Sequence, residues 1–242
     1  MAATAPRPLF PRRPPWRSFR GVSPSRTDPA SAFEALHEGL AELATLVLSQ
    51  VERAVTAWDE ADPSVADSVI AKDREVDLRS AALESRILDL HRTWPAFAGD
   101  LRLLHVGLIA ALALERVGNL AVDIAKLAGS VPPPSEGLET ARDLIGAMSG
   151  RAVDALARAV EAVARGDVEA GEGAVRDARS VNPMLDRVLQ AVSQAPSESG
   201  MRAWAAAAVL VARHIERIAN NAAELGQRVR FLVSGETASD AD

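Results

Sequence analysis

From Ala32 to about Glu60 the apolar side chains recur every three or four positions, at Phe33, Leu36, Leu40, Leu43, Val47, Val51, Val55 and Trp58. That is the period of an amphipathic helix with one buried stripe. Asp62 followed by Pro63 predicts an N-cap with proline in the first turn, opening a second helix to about Arg92 that Trp94-Pro95 terminates. A third helix is expected from about Phe97 to Leu127, stopped by Gly129 and the run Val131-Pro132-Pro133-Pro134. The pattern then starts again, with helices predicted near residues 136–165, 167–194 and 198–233. Arg53-Ala54-Val55-x-Ala57 returns as Arg158-Ala159-Val160-x-Ala162, and Gly166-Asp167 stands where Ala61-Asp62 stood. Asn182-Pro183 predicts a kink in the fifth helix, a feature not expected in the second.

Short joints make sequential helices antiparallel, so the fold class is all-α: two repeated antiparallel three-helix bundles, six long helices in all, related by pseudo-twofold symmetry. Helices of this length make rods of about 45 Å. The expected organisation is an arm at residues 1–29, a first repeat at 30–130, a linker at 131–135, a second repeat at 136–233 and a tail at 234–242. Composition agrees: 48% of residues are hydrophobic, only 4% aromatic, and there is no Tyr, which favours close packing of small-residue helices over sheets.

Charge and cysteine usage narrow the function classes. The net charge of −6 hides a basic segment, since Arg7, Arg12, Arg13, Arg17, Arg20 and Arg26 face one acid, Asp28, within residues 1–28. With six prolines as well, that segment is expected to be a disordered basic arm. The rest of the chain is acidic, so the folded body is not expected to bind nucleic acid. With no Cys there is no disulfide framework and no thiol chemistry, which fits a cytoplasmic location. The longest uncharged apolar runs, Leu103 to Leu114 and Ala203 to Ala212, are shorter than the roughly 18 residues that a membrane-spanning helix requires.

A five-residue phrase occurs twice, Glu115-Arg116-Val117-Gly118-Asn119 and Glu216-Arg217-Ile218-Ala219-Asn220, at an offset of 101 residues. Each copy places a Glu within the apolar stripe of a long helix, where an uncompensated charge is costly. Residues four apart share a helix face, so Glu115, Asn119 and Asp123 form one oxygen ladder, and Glu216, Asn220 and Glu224 form the other. Asp73 and Asp77 on the second helix and Asp100 at the start of the third are candidate accessory acids. The second half is poorer, with Ala178 and Asn182 at the positions equivalent to Asp73 and Asp77. Gly118 and Ala219 are small enough to admit a close neighbouring helix. Two readings follow from these residue types: chelation of a hard cation by facing oxygens, or interhelical ion pairs of the two Glu with Arg102, Arg116 or Arg217 that fix register. His214 falls on another face from Glu216 and is read as a partly buried polar residue.

The run Asp100-Leu101-Arg102, the segment Lys72-Asp73-Arg74-Glu75-Val76-Asp77 and the two phrases resemble the PhoU family of bacterial phosphate-signalling proteins over residues 30–233. The resemblance implies a cytoplasmic, non-enzymatic adaptor between a phosphate ABC transporter ATPase and a sensor histidine kinase, a negative regulator of the phosphate regulon that reaches the membrane only through its partners. It leaves homodimerisation open. It also implies metal at a Glu/Asp-x-x-x-Asp motif, one per repeat, but here the last acid is an amide, Asn119 or Asn220. Each substitution removes a charge and the bidentate option, leaving Glu115, Asp123, Glu216 and Glu224 for a weakly held Mg, Ca, Fe or Mn ion. The alternative class is a structural helical bundle that coats a membrane or granule surface.

Overall fold

The computed structural model describes residues 29–94, 98–131, 138–194 and 199–236. The expected arm, most of the proline linker and the end of the tail lie outside them. The described residues are helical throughout their regular structure. The first half contains α1 (Pro29–Glu60), α2 (Pro63–Ile70), α3 (Asp73–Thr93) and α4 (Ala98–Ala128). The second contains α5 (Glu139–Arg165), α6 (Val168–Arg179), α7 (Asn182–Ser193) and α8 (Ser199–Ser234).

The joints form for the same reason in both halves. Ala61 ends α1 in the left-handed region at φ 51°, and Gly166 ends α5 there at φ 63°. The next residue is an Asp that caps the new helix. Asp62 Oδ1 accepts from the backbone N–H of Ser64 at 2.8 Å and of Val65 at 3.3 Å, and Asp167 Oδ1 accepts from Ala170 N–H at 3.0 Å. These bonds satisfy first-turn donors that have no partner within the helix.

The second helix differs from its expected form. It is broken into α2 and α3 at Ala71-Lys72, where Lys72 N–H bonds to the carbonyl of Val69, three residues back, at 3.1 Å. No proline marks this tightening, which is why periodicity alone missed it. The fifth helix, for which Asn182-Pro183 predicts a kink, goes further and is broken there into α6 and α7. The burial pattern nevertheless keeps the offset of 105 through both breaks: Ala66 and Gly171, Val69 and Ala174, Val76 and Val181, and Leu83 and Val188 are all buried pairs. The breaks redirect the helices without shifting which residues face inward.

The core joins both halves. Leu36, Leu43, Val47 and Trp58 of α1, Leu104, Leu114 and Ile124 of α4, Met148 and Leu156 of α5, and Ile215 and Ile218 of α8 belong to one continuous buried cluster. α4 and α8 pack on each other and on the outer helices of their own repeats, so the helices that carry the repeated phrase run through the centre of the molecule.

Candidate functional site

Three contacts fix the pairing of α4 with α8, and one electrostatic influence agrees with them. Arg102 Nε donates to the carbonyl of Leu232 at 3.2 Å, and the His105 ring meets Phe231 edge-on at 5.8 Å. Arg116 reaches Glu224 at 3.9 Å, and Asp123 acts electrostatically on His214. Residue numbers rise along one helix as they fall along the other, so the crossing is antiparallel. The same register sets the turn of Asn119 opposite the turn of Asn220. Close packing below this seam depends on Gly118, where a Cβ would come within 3.0 Å of Val76 of α3, as its small size led us to expect.

The ladder residues have unequal surroundings. Glu216 is buried, with 9% exposure, and its Oε2 accepts from Arg213 Nη1 one turn earlier in α8. Its mate Glu115 is half-buried, and the residues three and four positions from it are Ala111, Leu112, Gly118 and Asn119, so no guanidinium lies one turn away in its own helix. Asn119 and Asn220 are exposed. Glu224 lies between Arg116 at 3.9 Å and Arg228 at 3.8 Å, while Asp123 pairs with Lys126 at 3.6 Å.

Asp73, at the start of α3, feels both Asp77 one turn on and Asp123 of α4. Burial pushes the Asp73 carboxyl above the usual carboxylate range, the charges of Asp77 and Asp123 push it further, and Lys126 opposes them. Its Oδ1 is buried without a hydrogen-bond partner. Burial also lowers the His214 imidazole below its ordinary value; Arg217 adds to this and Asp123 opposes it. His214 is thus the half-buried polar residue expected. At the positions equivalent to Asp73 and Asp77, Ala178 is buried and Asn182 exposed.

The remaining candidates are placed apart. Asp100 lies about 22 Å down α4 from Glu115 at 1.5 Å per residue, beyond reach of the ladder. Arg102 donates to a carbonyl in the last turn of α8, where cations complement the helix dipole. The interhelical ion pair of Arg116 forms, but with Glu224 rather than Glu216. Sequence reasoning overlooked Arg213 and Lys126. Both were legible as cations three residues from an acid of the ladder.

These environments do not fit a resident metal of the kind the resemblance implies. Among the described residues no three His, Asp or Glu side chains come together in a way that could hold an ion. The carboxylates of Glu216, Glu224 and Asp123 already face guanidinium or ammonium groups.

Fold and seam together define a two-repeat helical protein whose third helices, each with a Glu-x-x-x-Asn segment, cross at the centre. The PhoU domain model matches residues 40–128 and 145–229, one match in each repeat, and the chain belongs to the PhoU family. It is 29% identical over 215 residues to the phosphate-specific transport system accessory protein PhoU homolog 1 of Mycobacterium leprae, covering 89% of this chain and 96% of that protein. The fold is shared with the crystal structure of PhoU from Pseudomonas aeruginosa, at a TM-score of 0.79 and 20% identity, covering 86% of this chain and 100% of that one. It is shared too with the phosphate transport system regulatory protein PhoU from Streptococcus pneumoniae, at a TM-score of 0.72 and 18% identity, covering 87% and 99%.

Proposed function

We propose that the protein is a cytoplasmic, non-enzymatic accessory of phosphate transport that restrains uptake and represses phosphate-starvation genes. In this reading it does so by docking helical surfaces on the ATPase of a phosphate ABC transporter and on a sensor histidine kinase. The observation that carries the reading is the pair of PhoU repeats filling the folded body, in a chain whose relatives are named as accessory proteins of phosphate-specific transport. The surface is compatible with docking: Leu78 and Leu88 of α3 are 62% and 64% exposed, with Ala81, Ala82 and Ser85 exposed between them. No helix among the described residues is long and apolar enough to cross a membrane, so membrane association in this reading comes through the transporter.

The test is affinity purification of the tagged protein from phosphate-replete cells, with mass spectrometry of its partners. Recovery of a phosphate-transporter ATPase or a sensor kinase, lost on phosphate starvation or in a Leu78→Glu/Leu88→Glu variant, is the expected result. Recovery of granule or lipid-surface proteins with neither partner would overturn it in favour of a structural bundle.

A further inference from the structure

We propose that side-chain cations, not a bound metal, balance Glu216, Glu224 and Asp123 at the α4–α8 crossing, so that this protein assembles its seam in a metal-independent form. The donor set is the first reason. At the last position of both Glu-x-x-x-Asn segments the side chain is an exposed amide, which offers one neutral oxygen where a carboxylate would offer charge and two.

The second reason is the state of the remaining acids. Glu216, the buried one, accepts a charge-assisted hydrogen bond from Arg213, which occupies Oε2 and brings a positive charge to the place a cation would have to approach. Glu224 has a guanidinium on either side, from Arg116 and Arg228. Asp123 has Lys126 at 3.6 Å, and both Asp123 and Arg217 bear on the His214 ring. Of the four, Glu115 alone has no cationic side chain three or four residues away in its helix, where Ala111, Leu112, Gly118 and Asn119 stand, and a single carboxylate does not make a chelating site.

Symmetry gives these pairs a common logic. Arg116 and Arg217 are mates under the offset of 101, and so are Asp123 and Glu224. Arg116 of the first repeat supplies charge to the terminal acid of the second, while His214 of the second feels both Asp123 of the first and Arg217 of its own helix. The Arg116–Glu224 pair therefore ties the third helix of one repeat to that of the other. This inference is independent of the signalling role, because it concerns the purified protein.

The experiment uses the full chain, purified without a metal-affinity resin, equilibrated with excess Mg, Mn or Fe(II), then desalted for elemental analysis and melted with and without each ion and EDTA. The expected result is fewer than about 0.1 ions per chain and a Tm that moves by less than about 1 °C, whereas an ion held at a hundredfold its Kd would raise Tm by about 5–10 °C. One ion per repeat in the wild type, or a clear fall of Tm in EDTA, would overturn the proposal. The variant Arg213→Ala/Asn119→Asp/Asn220→Asp, checked for helicity by circular dichroism, is expected to gain ion-dependent stabilisation. A folded variant indifferent to every ion would overturn the assignment of Arg213 and the amides as what keeps metal out.

Discussion

Asp73 shows how a single position can work against the stability of its own fold. Its carboxyl is raised by burial and by the charges of Asp77 and Asp123, with only partial relief from Lys126. For an acid whose folded-state pKa is raised, the folded state binds protons more readily than the unfolded chain, so ionisation penalises folding. The penalty is full above the raised value and disappears as pH falls toward the ordinary carboxylate range. Asp73→Asn should therefore raise the Tm at pH 7.5, and the gain should shrink progressively on acidification toward pH 4. A variant that melts lower than the wild type at pH 7.5 would show that the Asp73 charge is compensated. His214 has the opposite dependence: its lowered pKa favours the neutral ring in the fold, a contribution present above about pH 6.5 and lost as pH falls below it.

Among the helices, two contacts of the same residue type have opposite expected consequences. A Cβ on Gly171 of α6 would lie 2.8 Å from the carbonyl oxygen of Gly226 of α8, and one on Gly226 would lie 2.6 Å from the oxygen of Gly171. Here backbone meets backbone, so nothing can swing aside, and Gly171→Ala or Gly226→Ala should each cost about 1–3 kcal/mol as overpacking. Gly146 and Gly150 of α5 have no atom within 4 Å of such a Cβ, so Ala there should stabilise by about 0.5–1 kcal/mol through the unfolded chain and helix propensity. Chemical denaturation of the four variants checks the contrast; equal effects would mean that α6 can move away from α8. The same scale shows what could be read from the sequence and what could not. The α1 stripe from Phe33 to Trp58, the Asp62 and Asp167 caps and the break at Asn182 each have a local signal within a few residues. The break at Ala71-Lys72 has none, since neither residue is a proline or a glycine and the apolar period continues through it. The Glu-x-x-x-Asn faces were legible, yet the pairing of Arg116 with Glu224 depends on the antiparallel crossing of α4 and α8, 108 residues apart in the chain.

For the whole molecule, the question is whether the repeats fold as two domains or as one. Several connections argue for one. Trp58 of α1 stacks on Trp204 of α8 at 5.3 Å between ring centroids, and Arg142 of α5 holds Asp59 of α1 through its carboxylate at 2.8 Å and its backbone carbonyl at 2.7 Å. α4 and α8 share the central seam, and the buried cluster runs without interruption from Phe33 to Leu225. A half that lost its partner would expose the facing sides of α1, α4 and the Trp stack to water, an apolar area that a three-helix unit of this size has little spare stability to sustain. The full chain should consequently unfold in a single calorimetric transition, with van't Hoff and calorimetric enthalpies in agreement. Trp58→Ala, which removes about 3–5 kcal/mol of packing in the first repeat, should lower that one transition as a whole. If it instead split off a low-temperature transition while the second repeat melted unchanged, the halves would be independent units, and the shared core across α4 and α8 could not be what binds them into one fold.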